Sequence, residues 1–279
     1  MKILVPVDFH KASFAAYNYA ANLSKEMPAA KVTLLHVING TFNTNELVAY
    51  DPLKEMQTAA MERLRYFHEE YPAELDVTVP EVKLDTAVRF GIPGFVITDY
   101  AEQHDYDMIV MATRDKHGIF DRLMGSASAL VTRQAKCPVI LVHESSKYTK
   151  PSKILFAFDK KSDIEDALED YKRINNILGA STHFLHVKND KEDNVKDRQA
   201  ELVEELLSGE APAFSFEVKT VYGDDVHSAL KGYCIIQDVD MVAMVHRKEG
   251  IFTSLFRKQN SLKMAQEFVL PVIVFQEED

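Results

Sequence analysis

The sequence predicts an α/β fold made of two tandem, doubly wound parallel sheets, each with helices on both faces. Short apolar runs alternate strictly with longer amphipathic stretches, which is the pattern of parallel strands joined by helical crossovers. The apolar runs are nearly continuous, as in strands that are buried on both faces. The pattern of the first half of the 279-residue chain recurs in the second half, which indicates a duplicated domain.

The first half alternates five predicted strands with four predicted helices. In chain order these are strand 3–7, helix 13–26, strand 31–38, helix 53–70, strand 75–83, helix 95–104, strand 108–112, helix 126–135 and strand 139–142. The strand over 75–83 has the weakest apolar character. The long connection over 41–57 is either a lid over a cleft or packing for the next helix. Ligands of such a sheet bind at the carboxyl ends of the strands, where the strand order reverses.

The second half repeats five sequence signals of the first half in the same order. Segment 2–8 returns at 153–159, 33–37 at 182–187, 106–111 at 239–244, 118–120 at 250–252, and 137–142 at 270–275. The segment between the two copies is polar and closed by Pro151, a composition that suits a linker. We therefore predict one domain over residues 1–145 and a second over residues 152–279.

Composition and charge exclude several classes of function. Lys and Arg total 32 against 43 Asp and Glu, a formal charge of −11, which argues against nucleic acid as a partner. No run of about 18 apolar residues is present, so no membrane span is expected. The amino terminus becomes acidic at Asp8 before a signal-length apolar region develops. Cys137 and Cys234 fit reduced core thiols, so we expect a cytoplasmic protein.

The stretch from Met111 to Ser128 contains the most informative loop of the sequence. It leaves a buried strand and ends in Gly125 and Ser126 at the start of a helix. A helix start offers unpaired N–H groups and a positive dipole end, and glycine allows an anion to approach the backbone closely. A second interpretation makes Ser126 a simple N-cap that contributes about 1 kcal/mol. Both interpretations stay open on these grounds.

Several motifs together resemble the universal stress protein family, in the form of a tandem two-domain member. They are Val-Pro-Val-Asp at 5–8, Leu-His-Val at 35–37, Asp-Met-Ile-Val-Met at 107–111, the loop that follows, and Cys-Pro-Val-Ile-Leu-Val at 137–142. The resemblance implies a Rossmann-like fold with strand order 3-2-1-4-5 and a role in stress response without a well-defined catalytic reaction. It also implies dimerisation through the last strand, so the two copies are expected to form an intrachain pseudo-dimer that either stands alone or forms a homodimer.

The same resemblance implies an adenine-nucleotide site in the first domain. ATP-binding members carry Gly, two residues, Gly, nine residues, Gly, then Ser or Thr; the corresponding residues here are Ala112, Asp115, Gly125 and Ser126. The last two match, whereas Asp115 places a carboxylate near a polyphosphate, at a cost of about 4 kcal/mol for charges 4 Å apart at an effective dielectric of 20. The implied ATP or AMP site, with Mg²⁺ entering only with ATP, consists of Asp8, Val37, Met111, Ala112, Arg114, Asp115, Gly125, Ser126, Ala127 and Ser128.

The second domain departs further from the nucleotide-binding pattern. Aligned from Gly250, its Gly-Ser position holds Arg257 and Lys258, whose long side chains deny an anion close approach to the backbone. Together with Arg247 and Lys248 they form either a side-chain anion site or a solvated basic face. We favour the solvated face and predict no cofactor in this domain.

The remaining motifs give no catalytic or metal site. His36 and His186 lie in apolar runs and suit core histidines bonded to a neighbour, and the histidines lack metal-ligand spacing. Neither a Walker A loop nor a Gly-x-Ser-x-Gly elbow is present, so at most slow ATP hydrolysis is expected. The family resemblance therefore implies a stress-response regulatory protein that binds an adenine nucleotide. The alternative is a scaffold that acts by protein association alone.

Overall fold

The computed structural model describes two compact units. The described residues are 1–40, 52–113, 127–158, 165–188, 202–204, 206–207, 211–223, 225–246 and 270–276. Those up to Tyr148 belong to the first unit, and those from Thr149 onward belong to the second. Among the described helices, none is both long enough and apolar enough to cross a membrane.

The first unit is a parallel sheet in the order β3-β2-β1-β4-β5. This order confirms the predicted fold class and the strand order implied by the family resemblance. Its elements are β1 (Lys2–Pro6), α1 (Lys11–Ser24), β2 (Lys31–Ile38), α2 (Pro52–Glu69), α3 (Tyr71–Glu74), β3 (Lys83–Phe90), α4 (Pro93–Gln103), β4 (Met108–Thr113), α5 (Ala127–Gln134) and β5 (Val139–His143).

The second unit repeats the same order with parallel strands β8-β7-β6-β9-β10. Its first strand lies between its second and fourth strands, as in the first unit, so the repeat seen in the sequence is a repeat of topology. The elements are β6 (Lys153–Phe158), α6 (Glu165–Leu178), β7 (Ser181–Lys188), β8 (Phe216–Tyr222), α7 (Val226–Ile236), β9 (Met241–His246) and β10 (Val272–Gln276).

Helices cover the sheet of the first unit and bury its central strands. Helix α1 packs on β1, β4 and β5, and α2 packs on β2 and β3, whereas α4 and α5 pack on each other and on β2 and β4. Right-handed crossovers place the first pair of helices on one face and the second pair on the other. Ile3, Leu4 and Val5 of β1 are consequently inaccessible to solvent.

The third strand differs from the sequence prediction, which placed it at residues 75–83. The structure places β3 at Lys83–Phe90, and residues 75–82 form a turn and an irregular connection. Pro80 lacks the N–H that a strand ladder requires. Lys83, Asp85 and Arg89 project from the exposed side of β3, because this strand ends the sheet order of its unit. Its apolar residues therefore alternate with polar residues and form no continuous run.

The two cysteines differ in burial, which corrects part of the prediction. Both are free thiols, and Cys234 is buried as predicted. Burial raises the pKa of the Cys234 thiol to about 12, so the thiol stays protonated and unreactive at neutral pH. Cys137 is only partly buried, because it lies in the turn before β5 and outside the core.

The predicted connection over residues 41–57 is only partly described. Its residues 41–51 lie outside the described residues, and the remainder begins α2. The buried side of α2 consists of Ala60, Leu64 and Phe67. These residues lie later in the helix, so the predicted choice between a lid and helix packing stays open.

Candidate functional site

A cavity of about 200 Å³ opens at the carboxyl ends of β1, β2 and β4. Strands β2 and β4 lie on opposite sides of β1, so this is the point where the strand order reverses, the usual ligand position in such sheets. Helices α1 and α4 complete the walls. The lining residues are Pro6, Val7, Asp8, Ala12, Ser13, Leu35, Val37, Pro93, Ile97, Met111, Ala112 and Ala127.

Strand register brings the ends of β1 and β2 together at this cavity. Pro6 pairs with Leu35, and the N–H of Val7 extends the ladder by donating to the Leu35 carbonyl at 2.8 Å. Asp8 is the next residue and is exposed. The end of β1 therefore places a carboxylate at the rim of a largely apolar cavity.

Among the described residues that line the cavity, Asp8 and Ser13 are the two with polar side chains. One carboxylate oxygen of Asp8 accepts a hydrogen bond from the His10 N–H at 3.1 Å. The Ser13 hydroxyl donates to the His10 carbonyl at 2.9 Å, which satisfies its proton within the first turn of α1. The cavity thus combines apolar walls with an acidic rim.

His36 lies next to this cavity and is held in one tautomer. Its Nδ1 lies 2.8 Å from the Val7 carbonyl oxygen, and because a carbonyl only accepts, Nδ1 carries the proton. Burial has the largest effect on the pKa of His36 and lowers it. The hydrogen bond to Val7 raises the pKa by less than burial lowers it, and the charge of Arg63 lowers it further. A neutral imidazole therefore fixes the backbone next to Asp8.

The interpretation of His36 and His186 as histidines bonded to a neighbour is confirmed. His186 Nδ1 lies 3.3 Å from the Phe158 carbonyl oxygen, the counterpart of the His36 contact with Val7. His186 is buried, whereas His36 is half-buried. Over the described part of the chain, no three His, Cys, Asp or Glu side chains converge as metal ligands would.

The structure brings half of the predicted site residues together around the cavity. These are Asp8, Val37, Met111, Ala112 and Ala127. Ser128 follows Ala127 in the first turn of α5, where its carbonyl accepts from the Thr132 hydroxyl at 2.7 Å. The other predicted residues lie outside the described residues: Arg114, Asp115, Gly125 and Ser126, as well as Arg247, Lys248, Arg257 and Lys258 of the second half.

Sequence reasoning missed the residues that the helices contribute. Ala12 and Ser13 come from the first turn of α1, and Pro93 and Ile97 come from α4. Pro93 begins α4, where its preset φ favours the first helical turn. Gly94 allows α4 to approach α5, because a Cβ there would lie 3.0 Å from Leu130. The sequence signal that could have located the start of α4 is Pro93, which follows Gly91 by two residues.

One of the corresponding positions in the second unit carries a larger side chain. Val245 stands where the first unit has Ala112, and Val187 and Met244 correspond to Val37 and Met111 by the sequence repeat. All three are buried, and Val245 is only 7% exposed.

Comparison with known proteins gives consistent matches. The universal stress protein family matches residues 1–143. Universal stress protein MJ0531 of Methanocaldococcus jannaschii is 30% identical over 152 residues, which cover 52% of this chain and 84% of that protein. A universal stress protein structure from Archaeoglobus fulgidus covers 100% of this chain and 97% of its own, with 23% identity and a TM-score of 0.68. The latter likeness shows a shared fold.

A third match concerns a protein with a bound ligand. A universal stress protein solved in complex with cAMP covers 52% of this chain and 98% of its own chain, with 20% identity and a TM-score of 0.37. At that level of similarity, the bound cAMP is a finding about that protein and not about this chain.

Proposed function

The chain belongs to the universal stress protein family, and on that premise we propose that its first unit binds an adenine nucleotide, ATP or AMP, as the ligand of a stress-response regulatory protein. The cavity at the carboxyl ends of β1, β2 and β4 is the observation that supports this proposal most. Its position, its apolar walls and its acidic rim are all features that a nucleoside requires.

The size of the cavity favours a ligand that enters it only in part. Pockets that enclose a whole drug-sized ligand start at roughly 300 Å³, whereas this one holds about 200 Å³. We propose that the planar base lies between the walls formed by Val37, Ile97 and Met111. The ribose then lies at the rim, where the carboxylate of Asp8 accepts hydrogen bonds from its hydroxyl groups, as acidic residues do in related folds.

The start of α5 gives the phosphates a place beyond the ribose. Ala127 is the first residue of this helix and lines the cavity, so the helix amino terminus faces the same opening. The positive end of the helix dipole favours an anion at such a position. Gly125 and Ser126, which the family pattern assigns to the phosphate loop, precede the helix in the sequence.

The proposed role is binding without efficient catalysis. Of the two polar side chains that the described residues place in the lining, Ser13 has its hydroxyl proton engaged by the His10 carbonyl, and Asp8 is assigned to the ribose. Neither is left to activate a water molecule against a phosphate. Mg²⁺ would enter only as a companion of ATP. We propose that the second unit binds no nucleotide. It has Val245 in place of Ala112, and it has Arg257 and Lys258 in place of Gly125 and Ser126.

Calorimetric titration of the full chain with ATP, AMP, adenosine and GTP tests the proposal. We expect ATP and AMP to bind, adenosine to bind more weakly because it lacks phosphate, and GTP to bind least. The substitution Ala112→Leu fills the cavity and should weaken AMP binding by about tenfold or more. Ala59→Leu, a matched change at an exposed position of α2, should leave the affinity unchanged.

A scaffold that binds no nucleotide is the second candidate. The departures at Ala112 and Asp115 from the nucleotide-binding pattern favour it. An absence of heat and of thermal stabilisation with all four ligands, up to millimolar concentration, would support the scaffold and contradict nucleotide binding.

A further inference from the structure

We infer that Phe9 is a positioning residue for Asp8, through a left-handed turn that the contacts of the Phe9 ring hold in place. The inference rests on the proposed function, because it concerns the acidic rim of the same cavity. It adds a residue that the nucleotide does not touch but on which the affinity depends.

The backbone of Phe9 is in a conformation that an aromatic residue rarely adopts. Its φ is 64°, in the left-handed region that suits glycine, asparagine and aspartate. Such a conformation persists only where surrounding contacts compensate its cost, and it is often found next to a functional group. Asp8, the residue directly before it, lines the cavity.

The Phe9 ring makes the contacts that hold this turn. Its centroid lies 4.4 Å from the His36 ring and 6.0 Å from the Phe67 ring, the latter at 79° in an edge-on arrangement. The guanidinium carbon of Arg63 lies 4.1 Å from the Phe9 ring centroid. The ring is therefore anchored both to β2 and to α2 by aromatic and cation–π contacts.

The residue on the other side of Asp8 is fixed as well. The Val7 N–H donates to the Leu35 carbonyl at 2.8 Å, and the Val7 carbonyl accepts from His36 Nδ1 at 2.8 Å. His36 thus contacts the residues on both sides of Asp8. Held in this way, Asp8 accepts from the His10 N–H, so its carboxylate is oriented before a ligand arrives. Such preorganisation reduces the entropy cost of binding.

A glycine would adopt this turn without strain but would lack the anchor. The choice of phenylalanine therefore indicates that the ring contacts matter more than conformational ease. A role in core packing alone predicts a different outcome, namely lower stability without an effect on the position of Asp8. Coupling between Phe9 and Asp8 distinguishes the two roles.

The experiment is a double-mutant cycle on AMP affinity in the full chain, with Phe9→Leu, Asp8→Asn and the double variant. We expect Phe9→Leu to weaken AMP binding about tenfold in the presence of Asp8, and less than about twofold in the Asp8→Asn background. Phe9→Gly should show the same loss, since it keeps the turn accessible and removes the ring. Phe14→Leu is the control, because Phe14 packs on Phe67 from α1 and not from the turn; it should lower stability only.

Additive losses in the cycle, or wild-type affinity in both Phe9 variants, would overturn the inference. A second readout needs no ligand: hydrogen exchange of the His10 amide, which donates to the Asp8 carboxylate, should accelerate in the Phe9 variants and not in Phe14→Leu. If the wild-type protein binds none of the nucleotides, the proposed function fails, and the His10 amide decides alone. Faster exchange then supports positioning by Phe9, and unchanged exchange refutes it.

Discussion

Two buried tyrosines show how a single hydroxyl group affects the stability of each unit. Tyr19 of α1 is almost fully buried, and its hydroxyl has no hydrogen-bond partner among the described residues. Tyr171 of α6 is equally buried, but its hydroxyl lies 2.6 Å from the Thr182 hydroxyl and accepts from the Asn175 amide at 3.3 Å. Within the described part of the chain, the Tyr19 hydroxyl thus gains no partner for the water that it loses on folding, whereas the Tyr171 hydroxyl joins a hydrogen-bond network.

Removal of these two hydroxyl groups should therefore have opposite effects. We expect Tyr19→Phe to raise the free energy of unfolding by up to about 1 kcal/mol, because it deletes an unsatisfied buried group. Tyr171→Phe should lower it by about 1–2 kcal/mol, because it leaves Asn175 and Thr182 with one partner fewer. Urea denaturation followed by circular dichroism measures both, and a loss of stability in Tyr19→Phe would contradict the account.

Neutral histidines make stability depend on pH. Burial lowers the pKa of His36, His68 and His183, and the nearby Lys219 lowers that of His183 further. In the unfolded chain these histidines become protonated near the ordinary histidine pKa of 6.5. In the folded protein they are still neutral at that pH, because their pKa values are lower. Stability is thus complete above pH 6.5 and declines as the pH falls toward the lowered pKa values.

We predict that the urea concentration at the unfolding midpoint decreases when the pH is lowered from about 8 to about 5.5. Part of this decline belongs to His183, whose Nδ1 lies 2.9 Å from the Tyr233 hydroxyl. His183→Gln cannot titrate, so its midpoint should fall less over the same interval than that of the wild-type protein. An equal decline in both proteins would exclude His183 as a contributor.

The sequence indicates part of the candidate site and leaves out the rest for a physical reason. Asp8, Val37 and Met111 follow or end apolar strands, and the carboxyl ends of parallel strands meet at one edge, so their proximity is predictable. Ala12 and Ile97 line the same cavity from helices. Their placement depends on how α1 and α4 pack on the sheet, which local sequence patterns do not specify.

At the scale of elements, continuous apolar runs in the sequence predict central strands well but predict edge strands poorly. The central strands β1 and β4 each contain a continuous apolar run and lie within one residue of where the sequence predicts them. Strand β3 is exposed on one side, so its apolar residues alternate with charged ones and the signal is diluted. Leu84, Thr86, Val88 and Phe90 occupy every second position and alternate with the more polar series that contains Lys83, Asp85 and Arg89. This period of two is the sequence signal that marks the strand.

The turn between β3 and α4 depends on Gly91. Its φ is 137°, and a Cβ there would lie 2.7 Å from Cγ2 of Val96. The turn places Pro93 and Ile97 of α4 in the cavity wall. Both the backbone conformation and the lack of space therefore require glycine at this position.

Alanine substitutions at two glycines test this requirement. Gly91→Ala should lower the free energy of unfolding by about 1–3 kcal/mol. Gly232→Ala in α7 is the matched control, since an added Cβ would meet no heavy atom within 4 Å in the described part of the chain; the better helix former should raise stability by about 0.5–1 kcal/mol. Equal effects in urea denaturation would contradict the argument.

At the scale of the whole chain, the two units share a framework and differ at one position of the cavity lining. Asp107 accepts from the Lys2 N–H at 2.7 Å, and its counterpart Asp240 accepts from the Lys153 N–H at 3.0 Å. Burial alone would raise the pKa of Asp240, but hydrogen bonds from Ser152 and Lys153 lower it overall. The repeated carboxylate ties the same two strand ends in each unit, whereas Ala112 and its counterpart Val245 differ.

This divergence predicts one nucleotide for each 31.7 kDa chain. Equilibrium dialysis against AMP at concentrations well above its dissociation constant measures the ratio directly. Two bound nucleotides per chain would show that the second unit retains a site. The variant Ala112→Leu should reduce the ratio toward zero at a fixed, limiting AMP concentration.

The location of bound AMP tests the central claim most directly, through amide chemical-shift changes in the labelled full chain. We predict that the changes on addition of AMP concentrate on the cavity residues Ser13, Val37, Ile97 and Met111, together with the amides that begin α5. Changes confined to the second unit, or no changes at millimolar AMP, would contradict nucleotide binding at this cavity.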